Sequence, residues 1–103
     1  MLKLTGIPTM SIEITESSGN VFQDLGFSSE EATILQMRSE LMIDLRKHIQ
    51  TNQLTQQEAS KIFGVSQSRI SDLVRGKWEK FSLETLITFV IKSGMSVSIK
   101  CAA

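Results

Sequence analysis

Apolar and polar residues alternate near both ends of the chain. Met10, Ile12 and Ile14 are separated by single polar residues, and residues 95–100 repeat the pattern. A period of two is typical of a short strand. Isolated strand pairs have little stability, so we expect the two strands to pair with each other or with their counterparts in a second subunit. In either arrangement their exposed edges favour dimerisation.

A helical spacing of apolar residues begins after Ser28. This serine is followed three positions later by Glu31, the pattern of a capping box, which predicts a helix from here to 48–51. Its apolar residues form one stripe over about five turns. They are Ile34, Leu35, Leu41, Met42, Leu45 and Ile49. The preceding segment VFQDLGF (21–27) has four large apolar side chains, and we expect it to form a short buried clasp on the bundle.

Three shorter helices are predicted over 55–64, 66–76 and 82–94. Thr55 and Glu58 repeat the capping-box pattern, while Ser residues open the other two helices. Each of the three ends at a glycine, a residue that suits the left-handed position after a helix. The pattern predicts a mainly α fold: a bundle of four to five helices with short flanking β-strands. We divide it into an N-terminal strand and clasp (1–27), a helical bundle (28–94) and a C-terminal strand that can serve dimerisation (95–103).

The central stretch LTQQEASKIFGVSQSRISDLVRGKW has the spacing of a helix-turn-helix. Ala59 and Ser60 are small where two helices approach, Gly64 allows a sharp turn, and Val65 fills the space between the helices. The apolar residues assigned to the core are Ile62, Phe63, Ile70 and Leu73. A DNA-binding helix-turn-helix places the N-terminal end of its second helix in the major groove.

Polar residues remain on the outer face of that second helix, and each has a chemistry suited to DNA. Gln67 can form two hydrogen bonds with adenine, and Arg69 can bind guanine or a phosphate. Ser68 and Ser71 can bond to a base or to a phosphate oxygen. Asp72 would repel phosphate, so we expect it to face sideways or to pair with Arg75.

Residues around the two helices can contact the DNA backbone. Gln56 begins the first helix of the motif, where backbone N–H groups favour a phosphate. Arg75 and Lys77 follow the second helix, and Lys61 is a further candidate. The complete predicted DNA-binding set is Gln56, Ser66, Gln67, Ser68, Arg69, Ser71, Arg75 and Lys77.

Charge distribution resolves an apparent objection to DNA binding. The 103 residues contain 11 Lys and Arg against 11 Asp and Glu, which gives no net charge. Residues 1–45 nevertheless carry a net charge of −5, residues 46–80 carry +4, and residues 81–103 carry +1. The positive part contains the motif, so the neutrality is an average over two poles.

Catalysis and metal binding have no support in the composition. Cys101 is the single cysteine and His48 the single histidine, so the sequence predicts no disulfide, no metal site, no catalytic residue and no cofactor. No apolar run is long enough to cross a membrane. We therefore expect a cytoplasmic protein that associates with the nucleoid when bound to DNA.

Three further features each have a structural interpretation, and two of them also have a functional one. Trp78 could stack on a base, but a single Trp after a helix more often packs over the helix end. His48 is expected at a solvated helix position. An acidic group on the long predicted helix is either its solvated face or a surface for a basic partner. That group comprises Glu30, Glu31, Glu40 and Asp44.

The motif resembles the Xre (Cro-like repressor) superfamily, whose fold is like that of lambda repressor. The matching segments are Leu54-Thr55-Gln56, Gly64-Val65-Ser66-Gln67 and Ile70-Ser71-Asp72-Leu73. Ser60 departs from the alanine usual in that superfamily. The flanks SSGNVFQDLGF and RGKWEKFSLETLITFV resemble a narrower group, the HigA-like antitoxin regulators.

The resemblance implies a function as well as a fold. Members of the narrower group are dimers that bind their own operator and neutralise a RelE/HigB-type ribonuclease toxin. For this chain we expect the operator to be double-stranded, palindromic DNA. We therefore expect an autoregulating repressor and antitoxin. The alternative is a standalone or phage-type regulator without a toxin partner.

Overall fold

The computed structural model describes residues 9–14 and 21–101. These residues form two strands, five α-helices and one short 3-10 helix. In chain order they are β1 (Thr9–Ile14), α1 (Val21–Asp24), α2 (Ser29–Thr51), α3 (Gln56–Phe63), α4 (Gln67–Val74), the 3-10 helix (Trp78–Lys80), α5 (Leu83–Lys92) and β2 (Ser96–Cys101). The predicted mainly α class, with a helix-turn-helix inside a helical bundle, is confirmed.

Local capping starts the helices where the sequence predicted. The Glu31 N–H donates to Ser28 Oγ over 3.2 Å, and the Ser28 N–H donates to Glu31 Oε1 over 3.2 Å. Thr55 and Glu58 form the same pair of bonds at 2.8 and 3.0 Å. Both predicted capping boxes are therefore present, and each satisfies two backbone donors at a helix start.

The last two helices end slightly earlier than predicted. α4 ends at Val74 and α5 at Lys92, two residues before the glycines that the sequence placed at their ends. The C-cap residues, Arg75 and Ser93, keep right-handed backbone angles. The left-handed glycine follows the cap in each case, because a glycine terminates a helix most readily from the position after the cap.

The core is built on the inner face of α2 and the inner faces of α3, α4 and α5. α2 contributes the residues Ala32, Leu35, Met37, Leu41, Met42, Leu45 and Ile49. The predicted burial of Ile34 is wrong, because this side chain is 47% exposed while Leu35 faces inward. Ile62 is likewise 38% exposed, and Ala59 and Phe63 bury the inner face of α3 instead. In both cases the neighbouring position, about 100° round the helix, occupies the core.

Three phenylalanine rings join the helix-turn-helix to α5. The centroid of Phe89 lies 5.2 Å from that of Phe63 and 6.0 Å from that of Phe81, and all three residues are buried. Ile70 and Leu73 of α4 belong to the same core, and Val65 packs against it as predicted. The orientation of α3 and α4 is thus fixed from behind by aromatic packing.

The two strands pair with each other within the chain. β1 and β2 are parallel, with Thr9 opposite Ser96 and Ile14 opposite Cys101. A parallel pair needs a long crossover, and here the five helices lie in it. Of the two arrangements that the sequence left open, the structure has the intramolecular one.

The segment over residues 21–27 is more exposed than its composition predicts. Val21 is 55%, Leu25 70% and Phe27 40% exposed, so the expected burial of all four large apolar side chains is wrong. Phe22 is half-buried, with ring centroids 5.6 Å from Trp78 and 6.3 Å from Phe27. A helix of one turn can pack only one face against its neighbour, and Phe22 occupies that face.

Replacing Leu86 with alanine is expected to lower the free energy of unfolding by about 2–5 kcal/mol, because the change leaves a cavity in the core. Leu86 is fully buried on α5. Ile91→Ala on the same helix is the matched control, since Ile91 is 61% exposed, and it should change stability by less than about 0.5 kcal/mol. Urea denaturation followed by circular dichroism measures both. Equal losses in the two variants would contradict the assigned core.

Candidate nucleic-acid interface

A three-residue turn, 64–66, joins α3 to α4. Gly64 has a φ of 70°, in the left-handed region that favours glycine. A Cβ at this position would also lie 3.1 Å from Lys92 Nζ. That ammonium group donates to the Phe63 carbonyl over 3.3 Å, next to the helix end. Backbone geometry and close contact therefore both favour glycine at the turn.

The N-terminus of α4 presents polar side chains to solvent. Ser66 is the N-cap, and its Oγ accepts from the Arg69 N–H over 3.2 Å. Gln67 and Ser68 follow in the first turn and are exposed. Within the described part of the chain, neither side chain makes a hydrogen bond. The first N–H groups of a helix also lack intrahelical partners, so side chains and backbone together offer donors here.

Arg69 is turned inward, unlike Gln67 and Ser68. Its Nη1 donates to the Lys80 carbonyl over 2.9 Å, and its guanidinium lies 4.1 Å from the centroid of Phe81. The side chain is half-buried. A guanidinium has five N–H donors, so one phosphate contact remains compatible with these bonds. The contact with guanine that the sequence suggested for Arg69 stays a prediction.

Asp72 pairs with two lysines that follow α4. Its Oδ1 lies 3.5 Å from Lys77 Nζ, and its Oδ2 lies 3.6 Å from Lys80 Nζ. Of the two alternatives that the sequence left for Asp72, pairing with Arg75 is wrong, because the ion pairs of this carboxylate are with the two lysines. The reason is the turn after α4, where Gly76 has a φ of 74° and the chain folds back along the helix.

The remaining predicted contact residues lie at the ends of the two helices. Gln56 is the first residue of α3 and is exposed, as is Arg75 at the C-cap of α4. Ser71, in the second turn of α4, is half-buried. The structure thus gathers the predicted set along α3, α4 and the turn after α4, while their contacts with DNA stay predictions.

Arg38 stabilises the segment that follows α4, a role that the sequence did not indicate. Its Nε donates to the Phe81 carbonyl and its Nη2 to the Trp78 carbonyl, each over 2.9 Å. The guanidinium also lies 5.4 Å from the Trp78 ring centroid. Trp78 is thereby held between Arg38 and Phe22, which confirms the structural interpretation of this tryptophan. No sequence pattern indicated these contacts, because Arg38 lies 43 and 40 positions from the two residues whose carbonyls it binds.

Two groups on α2 have shifted pKa values. Burial raises the pKa of Asp44, and the charge of Lys47 partly opposes the shift. Burial lowers the pKa of His48, whose Nδ1 lies 3.2 Å from Asn52 Nδ2. His48 is half-buried, so its predicted solvated position on the helix is met only in part. Asp44 and Glu40 are half-buried as well, so the acidic group of α2 is only partly a solvated face.

No group of three or more His, Cys, Asp or Glu side chains in 9–14 and 21–101 is arranged to hold a metal ion. No helix in the same ranges has the length and apolar content needed to span a membrane.

Residues 21–102 match the family model described as a helix-turn-helix domain. The match extends from α1 to the end of β2 and includes the whole α3–turn–α4 unit. No curated protein matches the chain.

Arg69→Ala is expected to lower the free energy of unfolding by about 1–2 kcal/mol, through loss of a hydrogen bond and of stacking on Phe81. Arg75→Ala is the matched control, because Arg75 is exposed at the end of the same helix. It should change stability by less than about 0.5 kcal/mol. Urea titrations of the two variants measure the difference. An Arg69→Ala variant as stable as the wild type would show that the inward contacts contribute nothing.

Proposed function

Because the chain belongs to the helix-turn-helix domain family, we propose that it is a sequence-specific DNA-binding transcriptional repressor of the Xre type. One observation carries the proposal: Gln67 and Ser68 stand exposed in the first turn of α4. This is the end of a recognition helix that meets base edges in the major groove. Its action is binding, without a catalytic step.

Charge supports the same orientation toward DNA. Seven Lys and Arg against three Asp and Glu lie in residues 46–80, the part that contains α3, α4 and the 3-10 helix. Neutralising phosphates supplies the sequence-independent part of DNA affinity and makes it sensitive to salt. The net charge of −5 in residues 1–45 would turn the opposite pole away from the duplex.

A homodimer on a palindromic operator fits this architecture. Two copies of α4 would enter successive major grooves about 34 Å apart. The β1–β2 pair has two strands, so each strand keeps one edge at which a second copy can add backbone hydrogen bonds. Repression then follows from occupying the DNA that polymerase needs.

Gln67→Ala is expected to reduce discrimination at one base pair of the operator by about 1–3 kcal/mol, because it removes one base-reading side chain. Fluorescence anisotropy on the DNA upstream of the protein's own gene, with single base-pair substitutions, measures this loss. Gln23→Ala is the control, since Gln23 is an exposed glutamine on α1, outside the motif. Wild-type protein without saturable, salt-sensitive binding to that DNA would refute the repressor proposal.

A second function, antitoxin activity, is favoured by an exposed apolar surface. We name the residues Val21, Leu25, Phe27 and Ile34 the α1–α2 surface; each is at least 40% exposed. A cleft of about 230 Å³ adjoins it and is lined by two of these residues, Phe27 and Ile34, together with Glu31, Leu35 and Arg38. Contiguous exposed apolar groups commonly mark a protein-binding site.

Acidic residues flank the α1–α2 surface. Asp24 and Glu30 are exposed beside it. A RelE/HigB-type toxin that binds RNA would be basic, so this combination of apolar anchor and acidic rim is complementary to such a partner. The resemblance to HigA-like regulators points to the same partner.

Co-expression with the neighbouring open reading frame tests the antitoxin proposal. We expect that frame to stop growth when expressed alone and the wild-type chain to restore it. Ile34→Asp should abolish rescue and leave operator binding intact, because the new charge opposes burial against a partner. Ile43→Asp on the same helix is the matched control, since Ile34 and Ile43 are 47% and 46% exposed.

A neighbouring frame without toxicity, or toxicity that persists beside the wild-type chain, would refute the antitoxin proposal. The protein would then be a standalone or phage-type regulator, provided that operator binding is observed.

A further inference from the structure

Asp72 is an acidic residue on the helix proposed to enter DNA, where phosphate repulsion is a disadvantage. It lies in the second turn of α4, five residues after Gln67. Its two carboxylate oxygens contact different lysines, Lys77 at 3.5 Å and Lys80 at 3.6 Å. Both lysines belong to residues 46–80, the positively charged part of the chain that contains the helix-turn-helix.

The backbone keeps both lysines within reach of this carboxylate. The Lys77 N–H donates to the Asp72 carbonyl over 3.1 Å. The Lys80 carbonyl accepts from Arg69 Nη1 over 2.9 Å. The turn after α4 is therefore tied to the helix at two points, which places the two ammonium groups on either side of one carboxylate.

We propose that Asp72 is a positioning residue that limits sequence-independent affinity for DNA by holding Lys77 and Lys80 in intramolecular ion pairs. The inference rests on the proposed DNA-binding function and adds a control on its strength. A lysine paired with Asp72 contributes less to phosphate neutralisation than an unpaired one, on every sequence alike. Base contacts from α4 then form a larger share of the total binding energy.

The exposure of the ion pairs indicates attenuation rather than complete masking. The side chains of Lys77 and Lys80 are 40% and 51% exposed, and that of Asp72 is 23% exposed. Ion pairs with this much solvent access are weak, so a phosphate can compete for either lysine. The sequence predicts that Lys77 contacts the phosphate backbone. On the present proposal, Asp72 weakens that contact.

The test compares Asp72→Asn with the wild-type chain on a short DNA duplex of arbitrary sequence, by fluorescence anisotropy over a range of salt concentrations. Freed lysines should tighten binding at low salt by at least roughly threefold. The plot of log affinity against log salt should also steepen, by up to about one unit for each lysine that gains a phosphate contact.

Glu79→Gln is the matched control, because it removes one negative charge from the 3-10 helix, the segment that contains Lys80. Glu79 is exposed in the 3-10 helix, and within the described residues it forms no ion pair. A general charge effect would shift both variants alike, and that outcome overturns the proposal. The proposal requires that Asp72→Asn alone steepens the salt dependence.

A double variant, Lys77→Gln with Lys80→Gln, provides a second measurement that does not depend on the folding of Asp72→Asn. In an otherwise wild-type chain it should reduce the salt slope by less than about one unit, because the lysines are already held. A loss of about two units would show that both lysines contact phosphates despite Asp72, and would overturn the proposal.

The two proposals fail in distinguishable ways. Wild-type protein that shows no salt-sensitive binding to any duplex refutes the DNA-binding function and this inference with it. Wild-type protein that binds, together with an unchanged slope for Asp72→Asn, refutes only the role of Asp72. Circular dichroism of each variant establishes that the fold is retained.

Discussion

The packing of Phe63 and Phe81 against Phe89 determines where the surfaces of this protein can lie. One ring comes from α3, one from the segment before α5 and one from α5, and none is more than 3% exposed. Because protein interiors pack densely and resist small shifts, these contacts leave α3 one orientation relative to α5. α4 follows, since Ile70 and Leu73 complete the same core. The exposed polar turn of α4 is thus a consequence of what its other face buries.

Two arginines extend this constraint from the core to the surface. Arg38 reaches from α2 to the carbonyls of Trp78 and Phe81, while Arg69 reaches from α4 to the carbonyl of Lys80. The 3-10 helix is therefore held by hydrogen bonds from both α2 and α4. These bonds restrict where Lys77 and Lys80 can lie. Charge-assisted hydrogen bonds are stronger than neutral ones, so they suit this bracing role. The lysines that follow α4 are thus positioned in part by arginines that bind backbone carbonyls within the protein.

The two poles of the charge distribution have different physical characters. Around α4 the exposed groups are small and polar or positively charged, which suits a partner with phosphates and base edges. Around α1 the exposed groups are apolar with an acidic border. Leu25 is 70% exposed, and an exposed apolar patch of this kind is typical of a protein-binding site. Both belong to one small bundle, in which the Phe22 ring of α1 lies 5.6 Å from the ring of Trp78, at the start of the 3-10 helix that follows α4. Repression and partner binding would then use separate surfaces of one protein.

Local features of this protein were predictable from its sequence, whereas the partners of its charged residues were not. The capping boxes at Ser28 and Thr55, the turn at Gly64 and both strands depend on residues within a few positions of each other, so their patterns are visible in the chain. The bonds from Arg38 to Trp78 and Phe81 span 40 and 43 positions, and no periodicity encodes them. Tertiary structure also decided that Asp72 meets Lys77 and Lys80, and that Ile34 and Leu25 remain exposed. These outcomes depend on which face of each helix packs against the aromatic core. That choice depends on contacts among all the helices together.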